Sequence, residues 1–234
     1  MRSISIITIL LVCLSAGRAR AAAGRLGLEA RAQIRSENDT NRFETVNMVL
    51  DCSLKETAVV ICDMWDRHWC KGATERVGEM APRMNEVVRA ARDQGALIIH
   101  CPSDTMKYYE GTPQRKLAQS APVAKALVPL QRWCSLDPKH EPGLPIDDSD
   151  GGCDDQPQCK TFIAWKKQHP AIEIKEADAI TDTAEAYNLM EQRGIKNVIL
   201  MGVHLNMCVL GRPFSIRQMV AQNKNVLLMR DMTD

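Results

Sequence analysis

Three side chains that could carry out chemistry together each follow an apolar run of the sequence: Asp63, Lys175 and Cys208. A cysteine at the start of a helix gains from the positive end of the helix dipole, and a nearby ammonium group also favours its thiolate. Each residue alone has a simpler explanation, since Cys208 could belong to the core, Asp63 could cap a helix and Lys175 could lie on the surface. The joint pattern, with a carboxylate to carry the thiol proton away, predicts a thiolate-based acyl-transfer site.

Apolar runs of strand length alternate with stretches of helical periodicity. Strands are predicted at 57–62, 96–100, 171–175, 197–203 and 224–230, and helices at 73–94, 114–128, 181–194 and after Cys208. This alternation predicts an α/β fold, doubly wound, with a mostly parallel sheet and helices on both faces. One more helix would be expected after the last strand. Ligands bind beyond the carboxyl ends of such strands, where the three residues should meet.

The composition narrows the class of protein. Lys and Arg number 30 against 29 Asp and Glu, and this net charge of +1 gives no general case for binding nucleic acid. Aromatic residues make up only 4%, too few for a platform that stacks bases. No Cys/His spacing indicates structural zinc, and we expect no cofactor. The expected partner is a small-molecule substrate, and a homo-oligomer is expected.

The N-terminus predicts export. A short basic start is followed by an apolar run over 4–16 and small residues at 19–23, the pattern of a signal peptide over residues 1–21. The alternative is an uncleaved membrane anchor, although the run is short for a spanning helix. Residues 22–44 are interpreted as a flexible lead-in, and 45–234 as the catalytic domain. The mature protein is expected to be secreted or periplasmic, without stable membrane insertion.

An exported protein is expected to pair some of its nine cysteines. Cys153 and Cys159 flank a short polar loop and are the best candidates for a local disulfide. The acidic segment 147–155 overlaps this loop and belongs to a long Pro-, Gly- and Asp-rich region, 135–160. It is interpreted as a solvated loop, with a cation site or a lid over the active site as alternatives.

The residues around Asp63 and Cys208 carry a family resemblance. The segment 59–65 is similar to the first strand of the isochorismatase-like cysteine hydrolases, and 202–209 resembles their nucleophile turn. The resemblance covers roughly 57–234 and implies a six-stranded, mostly parallel sheet with an Asp63, Lys175 and Cys208 triad. It also implies a cis peptide at Val203–His204, which would aim the N–H groups of His204 and Cys208 at one point as an oxyanion hole.

The sequence departs from the family pattern at positions that bear on specificity. Trp65 stands where the family usually has Gln, and Arg212-Pro213 is unusual after the nucleophile. Asp104 matches the first residue of the metal pair in nicotinamidase-like members, but Met106 replaces its His, so no catalytic metal is expected. The residues predicted to bind substrate are Trp65, Asp104 and Asn206. The histidines at 68, 100, 140 and 204 receive no metal role.

The sequence therefore predicts an exported cysteine hydrolase that cleaves a small amide or related C–N bond. In this hypothesis Asp63 is the base, Cys208 is the nucleophile and Lys175 holds their charges. Two alternatives remain open. One is a vinyl-ether hydrolase of the isochorismatase type, in which the cysteine need not attack. The other is a secreted binding module that keeps the fold without catalysis.

Overall fold

The computed structural model describes residues 10–12, 24–36, 42–139, 141, 143, 152–153, 155–159 and 164–234. Most of the predicted signal peptide, most of the acidic segment 147–155, and His140 lie outside the described residues. In the described part of the chain, no helix combines the length and apolar character needed to cross a bilayer.

The described residues form eight strands and six α-helices, and from residue 57 onward strands alternate with helices. The strands are β1 (Leu10–Val12), β2 (Arg25–Arg35), β3 (Phe43–Ser53), β4 (Thr57–Cys62), β5 (Leu97–Cys101), β6 (Ala179–Ile180), β7 (Asn197–Gly202) and β8 (Asn225–Thr233). The helices are α1 (Lys71–Asp93), α2 (Met106–Tyr109), α3 (Pro113–Ser120), α4 (Glu185–Gln192), α5 (Cys208–Gly211) and α6 (Ile216–Ala221).

The strands form one sheet in the order β3-β2-β1-β8-β7-β4-β5-β6. The five strands from β8 to β6 are parallel, which confirms the predicted doubly wound α/β architecture. Six strands were predicted, whereas the sheet formed by the described residues has eight. The strands outside the parallel part are β2 and β3, which form an antiparallel pair, and β1, which lies between β2 and β8.

The interpretation of 22–44 as a flexible lead-in is corrected by β2 and the start of β3. In β2 the inward positions Leu28, Ala30 and Ala32 are buried, whereas the residues between them are exposed. This is the period of two expected of a strand with one covered face. Two of the three buried residues are alanines, whose weak hydrophobicity hides the period in the sequence.

The apolar core lies on both faces of the parallel strands. All six residues of β4 are buried. Its alternate residues Ala58 and Val60 pack in the cluster that includes α4 and α6, whereas Val59 and Ile61 pack in the cluster that includes α1. A strand covered on both faces has no polar side, which explains the continuous apolar run in the sequence.

The strand predicted at 171–175 is wrong, and β6 instead covers Ala179–Ile180. A turn precedes it, in which the Lys175 N–H donates to the Asp178 carboxylate (2.7 Å) and the Asp178 N–H donates to the Lys175 carbonyl (3.1 Å). Because β6 runs parallel to β5, Lys175 lies before the amino end of the strand. The carboxyl end of β6 is followed by Thr181 and Asp182.

Candidate active site

Asp63 lies at the carboxyl end of the central strand β4 and is completely buried. Its backbone turns sharply there, with a φ of 47°, and its N–H donates to the Cys101 carbonyl at the end of β5 (3.0 Å). The Ser103 N–H donates to Asp63 Oδ1 (2.8 Å). Within the described residues Oδ2 has no hydrogen-bond partner, so this oxygen is available to a proton donor.

The turn that follows β7 brings Cys208 to the same edge of the sheet. Gly202 has a φ of 110°, and a Cβ built there would lie 2.0 Å from the Cys62 carbonyl oxygen, so only glycine fits. The peptide bond Val203–His204 is cis, as the family resemblance implied. The turn ends at α5, whose first residue is Cys208. The buried Cys208 thiol lies close enough to Asp63 and Arg212 to interact with both.

Arg212 supplies the cation of this site. It follows α5 in an extended conformation, with a φ of −67° and a ψ of 160°, as expected of a residue before proline. Its Nε lies 3.5 Å from Asp63 Oδ2, and its second guanidinium nitrogen lies 3.4 Å from Asp104 Oδ2. The guanidinium also lies over the Trp133 ring, 5.7 Å from its centroid. Two carboxylates and an indole therefore hold Arg212 beside the thiol.

The structure does not bring Lys175 to this group. Its side chain is 55% exposed, and its Nζ pairs with Glu173 at 2.9 Å. Because it precedes β6, it lies at the amino end of that strand, whereas Asp63 and Cys208 follow the carboxyl ends of theirs. The predicted grouping of Asp63, Lys175 and Cys208 thus becomes Asp63, Arg212 and Cys208. The Arg212-Pro213 pair, four residues after Cys208, was the sequence signal for this cation.

The electrostatics favour a proton on Cys208 when no substrate is present. Burial raises the pKa of the Cys208 thiol, the charge of Asp63 raises this pKa further, and Arg212 opposes the rise. Burial also raises the pKa of Asp63, against the charge of Arg212. The predicted lowering of the thiol pKa is therefore corrected. Arg212 is the cation that offsets negative charge on either group.

Aromatic rings form one wall of the site. Trp65 stacks on Trp165 with a centroid distance of 3.8 Å, and its indole N–H donates to the Ser103 carbonyl (3.0 Å). The His68 ring lies 5.0 Å from that of Trp65 and 5.2 Å from that of His204 on the nucleophile turn. Trp65 is buried, so it shapes the wall around Asp63.

The other two residues predicted to bind substrate lie at the surface of the site. Asn206 is half-buried on the nucleophile turn. Asp104 contributes, with Arg212, Arg132 and Asp182, to a cleft of about 390 Å³. The Asp104 carboxylate pairs with Arg212, and the backbone N–H of Asp104 donates to the Asp182 carboxylate (3.0 Å). The buried His100 is used elsewhere, between Gln168 (2.9 Å) and Asp178 (3.1 Å).

The fold and the site together define a class of protein. An aspartate and a cysteine that follow adjacent parallel strands, with a cation beside both, form the arrangement of an α/β cysteine hydrolase. The family comparison agrees, because the model of the isochorismatase domain matches residues 57–233. The chain belongs to the isochorismatase family and is a hydrolase.

Some solved structures are similar to the chain at low sequence identity. A cysteine hydrolase from Pseudomonas syringae pv. phaseolicola 1448A is 15% identical with a TM-score of 0.46, and the match covers 78% of this chain and 74% of that one. An isochorismatase family protein from Burkholderia thailandensis is 15% identical with a TM-score of 0.41, covering 76% and 79%. Comparison with curated proteins gave no match.

Proposed function

We propose that the protein hydrolyses a small amide or a related C–N bond through a thioester on Cys208. The observation that carries this proposal is the position of Asp63, whose buried Oδ2 accepts no hydrogen bond from the described residues, lies 3.5 Å from Arg212 Nε and is within interaction range of the thiol. A base so placed can take the thiol proton only when the thiolate finds an electrophile, because both groups resist ionisation through burial.

The proposed reaction has two halves. Asp63 takes the proton from Cys208, the sulfur attacks the substrate carbonyl, and the C–N bond breaks as Asp63 passes that proton to the leaving amine. A water molecule then attacks the thioester while Asp63 takes its proton, and the acid leaves as Cys208 recovers a proton. Arg212 offsets the negative charge of the carboxylate and sulfur throughout. The N–H groups of His204 and Cys208 are proposed to bind the developing oxyanion, since the first N–H groups of a helix lack helical partners.

A panel of small primary amides tests this proposal. The purified protein should release ammonia from at least one member, and rapid quenching should trap an acyl group on the peptide that contains Cys208. Cys208→Ala should lose both the ammonia and the adduct. Lys175→Gln is the matched control, because this residue lies outside the site, and it should retain both. Ammonia release that survives Cys208→Ala would contradict the thioester.

Vinyl-ether hydrolysis is a second candidate, favoured by one observation. Burial raises the pKa of Asp63, and a carboxyl group that keeps its proton can act as a general acid toward an ether without help from sulfur. In that case Cys208→Ala would retain activity toward a vinyl ether, whereas Asp63→Asn would lose it. A folded protein that turned over neither class and formed no adduct would instead favour the binding module.

We also propose that the protein is exported and assembles as a homo-oligomer. Export is supported by the basic start, the apolar run and the small residues within 1–21. Cleavage there would remove β1, which joins β2 to β8. N-terminal sequencing of protein from the cell envelope and medium should find a start near residue 22, and an intact Met1 in all fractions would contradict export.

Light scattering of the purified protein tests the homo-oligomer, because it measures the molar mass in solution.

A further inference from the structure

We propose that Cys70 and Cys153 are a redox-active pair that forms a disulfide, which ties the loop around 152–159 to the start of α1. Both residues are only 2% exposed. Their sulfur atoms lie within 4.8 Å of each other, and both side chains pack in one small cluster with Ala73. Cys159, the partner predicted from sequence, is exposed.

The loop reaches α1 through a second contact, independent of the sulfur atoms. The Lys71 N–H donates to Asp155 Oδ2 (2.6 Å), and the Gly72 N–H donates to Asp155 Oδ1 (3.2 Å). The carboxylate thus satisfies the first N–H groups of the helix, which have no helical partners. This contact holds Cys153 against Cys70, the residue that precedes α1.

The number of ligand atoms favours a disulfide over a metal ion. Cys70, Cys153 and Asp155 could together offer three ligand atoms. Even with an Asp155 oxygen as a ligand, the cluster offers three ligand atoms among the described residues to an ion that usually takes four. Two buried thiols in contact are the arrangement that oxidation converts into one bond, with modest movement of the side chains.

The oxidation needs a disulfide oxidant, such as oxidised glutathione. One thiolate attacks the oxidant and releases its first thiol, and the second cysteine then attacks the mixed disulfide and releases the other. The two protein thiols lose two protons and two electrons, and the oxidant becomes two thiols. Burial raises the pKa of Cys153 to about 11, so the exchange should be run overnight at a pH of about 8.5.

Tryptic mapping after this treatment separates the possible pairings. Trypsin cuts after Arg67, Lys71, Lys139 and Lys160, so Cys70 falls in peptide 68–71, and Cys153 and Cys159 fall together in 140–160. A Cys70–Cys153 bond joins the two peptides and leaves Cys159 open to alkylation. A Cys153–Cys159 bond leaves 140–160 as one peptide, lighter by two hydrogens and not alkylated. The joined species with the alkyl group on Cys159 is expected, and either the single peptide or a joined species alkylated on Cys153 would overturn the proposal.

Thermal unfolding gives a second readout that does not depend on how well each variant folds. The wild-type Tm should be roughly 10 °C higher after oxidation than after reduction, because the bond closes a long loop. Cys70→Ala and Cys153→Ala should each abolish this difference, whatever their own Tm. Cys159→Ala is the matched control and should keep it. The proposal would be refuted if Cys159→Ala lost the difference in Tm between oxidised and reduced protein. It would also be refuted if the reduced wild type retained zinc and no joined peptide formed.

Discussion

At the scale of single residues, the site depends on which cation stands beside the thiol. Arg212 is held by Asp63, Asp104 and Trp133, whereas Lys175 faces solvent with Glu173. A buried cation acts strongly on its neighbours, and an exposed ion pair is weakened by solvent. Replacing Arg212 should therefore change the reactivity of Cys208, whereas replacing Lys175 should not.

Replacing Arg212 should slow both alkylation and turnover. Without its charge the pKa of Cys208 rises, so Arg212→Gln should reduce iodoacetamide labelling of Cys208 at pH 8 by about tenfold, the effect of one pKa unit. Turnover should fall by about 100-fold. Arg212→Lys keeps the charge and should recover part of the labelling rate. Lys175→Gln should stay within about twofold of wild type, and the reverse order would restore the triad predicted from sequence.

Replacing Asp63 should separate alkylation from turnover. The charge of Asp63 raises the pKa of Cys208, so Asp63→Asn should increase labelling at pH 8, by about tenfold. Turnover should fall by about 1,000-fold, because an amide needs a proton for its leaving group and iodoacetamide does not. In wild type, turnover should rise with pH as Asp63 loses its proton. Slower labelling in Asp63→Asn would show that the carboxylate does not face the thiol.

At the scale of elements, the position of the nucleophile turn is set by its close approach to the end of β4. The Val203 N–H donates to the Cys62 carbonyl (3.0 Å), which fixes Gly202 against that backbone. Together with the pairing of β4 and β7 along their length, this contact aligns the two strand ends that carry Asp63 and Cys208. Its tightness can be tested by adding one methyl group.

Gly202→Ala should destabilise the protein far more than Gly194→Ala. Both glycines have a positive φ, but a Cβ at Gly194 has nothing within 4 Å, whereas one at Gly202 meets the Cys62 backbone. Gly194→Ala should cost about 1 kcal/mol, from its backbone conformation alone. Gly202→Ala should cost more than about 3 kcal/mol, or prevent folding. Urea unfolding of both variants measures the difference, and equal costs would show that the turn can move away.

At the scale of the whole molecule, stability should depend on a histidine that is buried without its charge. Burial lowers the pKa of His68 to about 3, and the neighbouring His204 adds to this effect. In the described residues its Nε2 has no hydrogen-bond partner. The unfolded chain therefore takes up a proton near pH 6.5 that the folded chain does not take up until about pH 3.

The free energy of unfolding should fall as pH drops below 6.5. For this one proton the slope approaches about 1.4 kcal/mol per pH unit. His68→Phe removes the titrating imidazole. Between pH 6.5 and pH 4.5, its free energy of unfolding should therefore fall by roughly 2 kcal/mol less than that of the wild type. Each protein is compared with its own value at pH 7.5, which cancels any change in packing. Parallel curves for the two proteins would mean that His68 is protonated when folded.

The sequence alone determined the α/β fold and placed Asp63 and Cys208, two residues of the candidate site, after the strands that bring them together. The apolar runs before Asp63 and Cys208 are long and continuous, because β4 and β7 are covered on both faces, and their carboxyl ends must meet at one edge. That local pattern is sufficient to place a residue that directly follows a strand.

Only the tertiary structure decided which cation lies beside the thiol of Cys208 and which cysteine lies next to Cys153. The run before Lys175 looks like a strand, but its backbone turns at Asp178, and β6 starts after it. Arg212 contacts Asp63 from the end of α5, and Cys70 lies next to Cys153 from the start of α1. These contacts join residues far apart in the chain, so they depend on how elements pack, which periodicity and spacing do not encode.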